Sequence, residues 1–532
     1  MKRVLVLLAA TLLLVLAVAP IAAQDTGTIH WSFEGISDVA SFDPAKVSDA
    51  PVFNLVSLVY GGLVKLNADL LVEPDLAESW TISDDGLTYT FTLRDGIAFS
   101  DGTPITSADV VWSLNHALDP NTGGWSGSYF LGNIVGAAEM QAGTATELSG
   151  VTALDEKTVQ IQLNQPSAYF LSQLTVGPGK VVSSAQAAAD PEGWELAPVS
   201  SGPFVVAEHN PGQVLLAPNP GYWQVPSVSL NVSFNQDSET AYQLFRTGAL
   251  DIMGSSQAPV PAARVAEVQG TPEFHSIPAW NMRYVAFNNE IAPFDDVRVR
   301  QAFAYATDRA TLADVVLSGT VTASDRILPG GFPGSELPIE GIPYDPAAGV
   351  ALLQEAGIDP ASINLTLTYG VEGDNERVAT VLQSMWQEGL GVTVTLEPLE
   401  LSTFSDRLNT TFVDPTNGLQ AYYSIWGADY PDPQNFISQQ LRTGVGNNNS
   451  HYSNAEFDAL VDQADASGVW EERAPLYNQA EQLAVTEVGW LPLFSGQVNV
   501  LIRDCVKGVE LMGLFYSFVI PDFASLEACP AS

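Results

Sequence analysis

Two aspartates, Asp429 and Asp432, follow an apolar and aromatic run in the segment AYYSIWGADYPDPQNF, residues 421–436. Two prolines, Pro431 and Pro433, stand between and after them. Carboxylates so placed can act as an acid and base pair, as ligands of a hard metal ion, as turn formers, or as an anchor for a cationic group. The four roles need different surroundings, so the rest of the chain bears on the choice.

Catalysis and metal binding are the roles that the sequence supports least. An acid and base pair needs two different environments and room for the reacting bond, and two acids separated by a proline need not face one point. The histidines are scattered, and none has the HExxH spacing of a zinc site. We therefore expect no catalytic residue, metal site or cofactor. We expect His451 to be a polar loop residue. The histidines are His30, His116, His209, His275 and His451.

The turn role suits Asp432, because an aspartate before a proline readily caps a local turn with its own side chain. Asp429 differs because it comes at the end of a predicted buried strand. Its alternatives are a second turn-forming aspartate and an anchor at the strand end.

Short strands and helices alternate along the whole chain. Asp345 and Pro346 open a helix that ends at Gly357, and Ser453 with Glu456 predicts a capping box for the next helix toward the C-terminus. A helix over 376–388 lies between two strands, which predicts a βαβ-like unit. The strands are predicted at 88–94, 159–163, 284–287, 365–369 and 392–396.

The N-terminus has the pattern of a secretory signal. Lys2 and Arg3 precede an apolar run that is interrupted by Pro20 and ends in small residues, so cleavage is expected near Ala23. An uncleaved membrane anchor is the alternative, and the sequence leaves open whether the mature protein is free or tethered. In an exported chain, Cys505 and Cys529 favour one disulfide over two unpaired thiols.

Composition excludes several classes of partner. The net charge of −41 at pH 7 repels phosphate backbones and anionic lipid, so no nucleic acid is expected to bind. The sequence contains no GxxxxGK[ST] loop and no GxSxG elbow. A chain of 532 residues predicts two or three packed lobes.

Six motifs together make the sequence resemble the solute-binding proteins of ABC importers, in the peptide and nickel group (family 5). They occur in the order found in that family and span most of the mature chain. They are LVEPDLAESWTISDDGLTYTFTLRDGIAFSDGTPITSADVVWSL (71–114), SSGPFVVAEHNPGQVLLAPNPGYW (200–223), AFNNEIAPFDDVRVRQAFAYATDR (286–309), YDPAAGVALLQEAG (344–357), WGADYPDPQNF (426–436) and SHYSNAEFDALVDQA (450–464).

The resemblance implies an α/β fold with mixed sheets: two lobes of the periplasmic-binding-protein type, an additional inserted domain and a hinged cleft. After the signal peptide (1–23), residues 24–65, 201–285 and 496–532 would form lobe I. Residues 66–200 would form the inserted domain and residues 286–495 lobe II, with hinges near 285 and 495. Closure of the lobes on a ligand would follow.

The resemblance also implies ligand-binding residues. An acid after the tryptophan, here Asp429, holds the α-amino group of a peptide in the peptide-binding members, and an ammonium removed from water needs such an acceptor. Trp426, Gly427 and Tyr430 would line the cleft, with core packing as the alternative for Trp426 and Tyr430. Arg377 would meet the peptide carboxylate or else be an exposed or salt-bridged arginine. Main-chain contacts would come from Ala40, Ser41, Ser255, Trp280 and Asn281, although turns or core packing explain these equally well.

The expected function is capture of a short peptide by an exported monomer, in the periplasm or on the outer face of the cell membrane. The protein would deliver the peptide to membrane permease subunits made as separate chains. An oligosaccharide or a nickel chelate is the alternative ligand for the same fold. A secreted hydrolase is the alternative from another class, and the absence of a recognisable catalytic motif counts against it.

Overall fold

The structure is a computed structural model that describes residues 27–47, 50–235, 237–255, 258–514, 518–520 and 522–530. The predicted signal peptide, residues 1–23, lies outside the described residues. Within the described ranges, no helix is both long and apolar enough to cross a membrane.

The strands are short and fall into several sheets. In chain order they are β1 (Thr28–Glu34), β2 (Val64–Leu66), β3 (Val72–Pro74), β4 (Ala77–Ile82), β5 (Thr88–Leu93), β6 (Val151–Ala153), β7 (Thr158–Gln162), β8 (Phe204–Asn210), β9 (Gln213–Pro218), β10 (Ser229–Asn235), β11 (Ile252–Met253), β12 (Phe274–Pro278), β13 (Asn281–Phe287), β14 (Thr322–Ala323), β15 (Asn364–Gly370), β16 (Thr393–Leu399), β17 (Ala421–Gly427), β18 (Leu491–Ser495), β19 (Gln497–Ile502), β20 (Glu510–Leu511) and β21 (Phe518–Val519).

The helices cover the faces of these sheets. They are α1 (Ala50–Val59), α2 (Ser107–Leu118), α3 (Ser126–Leu131), α4 (Ala137–Gln141), α5 (Phe170–Gln173), α6 (Ser184–Ala189), α7 (Ser238–Thr247), α8 (Ala262–Val268), α9 (Val297–Tyr305), α10 (Arg309–Thr311), α11 (Pro346–Ala356), α12 (Asn375–Leu390), α13 (Leu401–Val413), α14 (Ser438–Leu441), α15 (Ala455–Ala466) and α16 (Trp470–Thr486).

We name three parts of the molecule, lobe I, lobe II and the inserted domain, after the sheets on which they are built. The seven-stranded sheet, ordered β12-β19-β11-β1-β10-β9-β8, is the centre of lobe I. The six-stranded sheet, ordered β14-β18-β13-β17-β15-β16, is the centre of lobe II. A four-stranded sheet, ordered β4-β5-β7-β6, forms the inserted domain. Parallel and antiparallel pairs occur in both large sheets, which confirms the predicted mixed α/β fold.

The predicted local elements are confirmed where their patterns were strong. The helix at Pro346 is capped by Asp345, whose side chain accepts a hydrogen bond from the backbone N–H of Ala348, and it ends at Gly357 in the left-handed conformation. Strand β15, helix α12 and the parallel neighbour β16 form the predicted βαβ unit.

The capping box predicted from Ser453 and Glu456 is wrong. Asn454 caps helix α15, and its side chain accepts hydrogen bonds from the backbone N–H groups of Glu456 and Phe457. The Ser453 hydroxyl instead accepts a hydrogen bond from Thr443 at 3.1 Å. Asparagine is as good an N-cap as serine, so the sequence offered two adjacent candidates for one position.

The chain passes between the lobes at two adjacent places. It leaves lobe I after Pro278 and enters lobe II at Asn281, and it returns between Ser495 and Gln497. The two crossings are bonded to each other, since the N–H of Ala279 donates to the Gly496 carbonyl at 3.0 Å. At the first crossing, the chain thus passes from the sheet of lobe I to the sheet of lobe II a few residues before the hinge position predicted near 285.

A disulfide between Cys505 and Cys529 fixes the C-terminal tail, as predicted. The tail also contributes Phe523 and Leu526 to the core that lobe I shares with the inserted domain. Met512 and Leu514 pack instead into the core of lobe II. The tail therefore contacts both lobes beside the crossings.

Candidate functional site

A cavity of about 120 Å³ lies where the three parts of the molecule meet. Aromatic side chains of lobe I supply much of its wall, among them Trp31, Phe33 and Phe523. The inserted domain contributes Asp75 and Lys180. Asp429 comes from lobe II, and its carboxylate is the acidic group of this lobe among the described lining residues.

Asp429 comes two residues after the end of strand β17, and its side chain is held from both sides. Its Oδ2 accepts hydrogen bonds of 3.0 Å from the Tyr129 hydroxyl and of 3.0 Å from the Asn435 side-chain amide. Its own N–H donates to Asn435 Oδ1 at 3.0 Å. Among the described residues, none donates a hydrogen bond to the other carboxylate oxygen, Oδ1. One oxygen thus positions the group while the second stays available as an acceptor.

The environment of Asp429 disfavours its charge. The side chain is half-buried, and the loss of water around it raises its pKa to about 6. The hydrogen bonds from Asn435 and Tyr129 act in the opposite direction by stabilising the carboxylate. No cation of the described chain pairs with this carboxylate, so a cationic ligand would provide the counter-charge.

Asp432 has the structural role expected of it. Its Oδ1 accepts a hydrogen bond of 3.0 Å from the N–H of Gln434 and so caps the turn that begins at Pro433. The turn hypothesis is therefore confirmed. The carboxylate also forms a buried bidentate ion pair with Arg473, with both nitrogen to oxygen distances at 2.8 Å. The two acids of the segment thus have different hydrogen-bond partners, and within the described part of the chain only Asp432 has a cationic one.

Trp426 and Tyr430 flank Asp429 but lie outside the cavity lining that the structure describes. The indole N–H of Trp426 donates to Asn435 Oδ1 at 3.3 Å. Tyr430 is fully buried, stacks on Tyr169 of the inserted domain with ring centroids 6.2 Å apart, and meets Phe130 edge-on. In this conformation Tyr430 joins lobe II to the inserted domain.

Trp280, Asn281 and Gly427 lie together at the crossing between the lobes. Asn281 is paired with Gly427 in the ladder between β13 and β17. The Trp280 carbonyl accepts a hydrogen bond from Ala428 at 2.8 Å, and Asn281 Oδ1 accepts one from the N–H of Gly496 at 2.9 Å. These contacts tie the first crossing to the second and to the segment after β17 that contains Asp429.

The remaining predicted contacts lie away from the cavity lining. Arg377 is exposed and forms an ion pair of 3.0 Å with Asp374, one helical turn earlier. This is the arrangement expected of an exposed, salt-bridged arginine, the alternative to a contact with the peptide carboxylate. Ala40 is exposed. The Ser41 hydroxyl donates to Glu195 at 2.8 Å, and the Ser255 hydroxyl accepts from the N–H of Ala258 at 3.0 Å.

Several side chains at the site could not be predicted as site residues from the sequence. Asn435 orients both Trp426 and Asp429, and Tyr129 reaches Asp429 from a helix of the inserted domain. Lys180 and Asp75 come to the cavity from loop and strand ends. Long-range packing brings them together, so no local pattern could have identified them.

A metal centre has no support in the described part of the chain, where no group of three or more His, Cys, Asp or Glu side chains is arranged to hold an ion. His451, predicted as a polar loop residue, shares a hydrogen bond of 2.9 Å with the Thr411 carbonyl.

Comparison with known proteins gives consistent matches over most of the chain. The sequence profile of the bacterial extracellular solute-binding proteins, family 5, matches residues 72–448. Heme-binding protein A of Haemophilus influenzae is 31% identical over 88% of this chain and 87% of its own length. The oligopeptide-binding protein OppA of Bacillus subtilis is 28% identical over 89% of this chain and 88% of its own. Among solved structures, the unliganded open form of the murein tripeptide-binding protein MppA superposes with a TM-score of 0.76, 26% identity, and coverage of 94% of this chain and 96% of that one.

Proposed function

The chain belongs to the bacterial extracellular solute-binding proteins, family 5, and on that premise we propose that it captures short peptides between its lobes for an ABC importer. The protein acts outside the cytoplasm as a monomer and passes its ligand to permease subunits made as separate chains. It binds without catalysing a reaction. Relatives named for binding oligopeptides and murein tripeptides support this choice of ligand. Another relative is named for binding heme, so heme is the competing ligand.

The free carboxylate oxygen of Asp429 is the observation that carries the proposal. Asp429 is the acidic contribution of lobe II to a cavity otherwise lined by lobe I and the inserted domain. The α-ammonium group of a peptide would donate to Oδ1 while Oδ2 keeps its bonds to Tyr129 and Asn435. Such a charge-assisted hydrogen bond in a site shielded from water is stronger than one between neutral groups.

Closure of the lobes on the ligand is part of this proposal. A ligand would contact the wall of lobe I and the carboxylate of lobe II together only while the lobes are close. A ligand that touches both lobes stabilises this arrangement relative to an open one by its additional contacts.

A thermal-shift screen with unmodified di-, tri- and tetrapeptides tests the proposal, with heme as a competing probe. We expect at least one peptide to raise the melting temperature, because a ligand that binds only the folded protein stabilises it. Calorimetry with that peptide and its N-acetylated form then tests the anchor. Acetylation, or the variant Asp429→Asn, should weaken binding by about a hundredfold or more, as expected for loss of one partner of a buried charge pair.

The variant Asp406→Asn is the matched control, because Asp406 is exposed on helix α13 of the same lobe. It should bind as the unaltered protein does. Stabilisation by heme with no response to any peptide would overturn the peptide assignment. Equal affinity for the free and acetylated peptides would overturn the role of Asp429.

A further inference from the structure

Lys180 is a buried cation in the wall of the cavity. Its side chain is 6% exposed, and it lines the same cavity as Asp429. Its backbone is fixed by a bridge to Gly62 and by the hydrogen bond of the next residue, Val181, to the Gly61 carbonyl at 2.8 Å. The backbone of Lys180 is therefore fixed at the junction of the inserted domain with lobe I.

Lys180 differs from the other lysines that the structure describes. Lys46 and Lys157 form ion pairs with Glu195 and Asp95, and Lys65 pairs with Glu73 at 3.2 Å. Lys507 donates to a backbone carbonyl. The ammonium group of Lys180 forms no hydrogen bond or ion pair with any residue in the described ranges.

The carboxylate of Asp75 acts electrostatically on Lys180, but its hydrogen bonds come from other donors. Asp75 accepts hydrogen bonds from the N–H of Gly62, the Tyr222 hydroxyl and the Trp223 indole. It attracts Lys180 electrostatically without coming within ion-pair distance. Asp75 therefore lowers the cost of burying Lys180 but leaves its hydrogens unpaired.

Three cations and three carboxylates lie in or beside the cavity lining. Lys65 and Lys180 repel each other, and Arg94 lies 3.8 Å from the ring centroid of Trp223, whose indole binds Asp75. Against these three cations stand the carboxylates of Asp75, Glu73 and Asp429. A ligand with one positive and one negative end would leave this balance unchanged.

A second donor in the same wall also lacks a partner. The indole nitrogen of Trp31 is buried and, within the described structure, forms no hydrogen bond. A buried polar group without a partner is costly unless a ligand or water satisfies it. Burial likewise lowers the pKa of Lys180 by penalising its charged form, and a bound anion would relieve that penalty.

We propose that Lys180 binds the carboxylate of the ligand, so that the cavity takes a short zwitterion with its ammonium group at Asp429 and its carboxylate at Lys180. This inference rests on the proposed function and specifies its substrate class. Lys180 then replaces Arg377 as the anion-binding residue. The small cavity, about 120 Å³ against about 300–1,000 Å³ for typical ligand sites, fits a ligand whose two charged ends are close.

Calorimetry with the tightest-binding dipeptide of the screen and with its C-terminal amide tests the inference without any mutation. Amidation should weaken binding to the unaltered protein by about tenfold to a hundredfold, the range for hydrogen bonds to charged groups. In Lys180→Met the dipeptide should bind as weakly as its amide, because the group that distinguishes them is gone. Lys180→Arg should keep most of the preference for the free carboxylate.

Lys157→Met is the matched control, since Lys157 is an exposed lysine of the same inserted domain, and it should retain the full effect of amidation. Circular dichroism and thermal melting establish that each variant is folded. An unchanged affinity for the amide, with N-acetylation still harmful, would overturn the role of Lys180 and leave the proposed function standing. The inference would also be overturned if amidation still weakened binding fully in Lys180→Met but no longer did so in Arg377→Met. That result would assign the carboxylate to Arg377.

Discussion

The hydroxyl of Tyr129 donates a hydrogen bond of 3.0 Å to the carboxylate of Asp429, although the two residues are 300 positions apart in the sequence. Tyr129 lies on helix α3 of the inserted domain, and Asp429 follows strand β17 of lobe II. The bond therefore joins two parts of the molecule at the edge of the cavity. It also makes the state of Asp429 sensitive to how closely these parts approach.

Peptide binding should weaken in acid. Because Asp429 has a pKa of about 6, it is ionised above that pH and neutral below it. Only the ionised form pairs with an ammonium group, so affinity should be highest near pH 7 and fall about tenfold per pH unit below pH 6. It should also begin to fall near pH 8, because the α-ammonium group of the peptide loses its proton with a pKa of about 8. Calorimetry between pH 4.5 and 8 measures this. The Asp429→Asn variant should show weak binding that changes little over the same range, and an equally steep profile in that variant would contradict the assignment.

Replacement of Tyr129 by Phe should move this pH profile upward. The Tyr129 hydrogen bond stabilises the carboxylate and lowers its pKa, so its loss should raise the midpoint of binding above about 6. Urea unfolding should also show a loss of about 1.5–3 kcal/mol, the range for a hydrogen bond to a charged group. Tyr344→Phe is the control, because Tyr344 is an exposed tyrosine and should change neither quantity. An unmoved midpoint in Tyr129→Phe would show that the bond does not tune Asp429.

The unliganded protein should become more stable as the pH falls from 7 to about 5. Burial raises the pKa values of Asp465 and Glu34 to about 7, from ordinary values of 3.8 and 4.5. The folded state therefore binds protons that the unfolded state releases, and this stabilisation is complete below the ordinary pKa and lost as the pH rises through about 7. Melting temperatures across this range measure it.

Asp465→Asn should flatten part of that stability profile, whereas Asp69→Asn, at an exposed position, should leave it intact. A melting temperature that falls steadily from pH 7 to pH 5 in the unaltered protein would contradict the prediction.

The buried pair of Arg473 and Asp432 should matter more than an exposed pair of similar geometry. Arg473→Met leaves the Asp432 carboxylate buried without its counter-ion and should cost about 3–5 kcal/mol in the free energy of unfolding. Arg442→Met removes an exposed pair with Asp462 and should cost less than about 1 kcal/mol. Urea unfolding of both variants compares them directly. Equal losses would show that burial does not set the strength of these pairs.

Much of the fold could be read from local patterns. Alternating residues predicted the strands at 88–94 and 365–369, because a half-buried strand repeats every two residues. Asp345, Pro346 and Gly357 predicted the two ends of helix α11, since caps are chosen by backbone geometry within one turn. The family motifs then supplied the arrangement of the lobes, which local patterns do not contain.

The sequence by itself predicted several of the strands and helices, and it identified Asp429 as the acid at a strand end and Asp432 as the turn former. Only the tertiary structure decided what surrounds them: Tyr129 and Asn435 on the Asp429 carboxylate, Arg473 on Asp432, and Lys180 in the lining of the same cavity as Asp429. The reason is physical. Backbone preferences act over a few neighbouring residues, whereas the charge and hydration of a buried side chain depend on groups that meet only after distant segments have packed together.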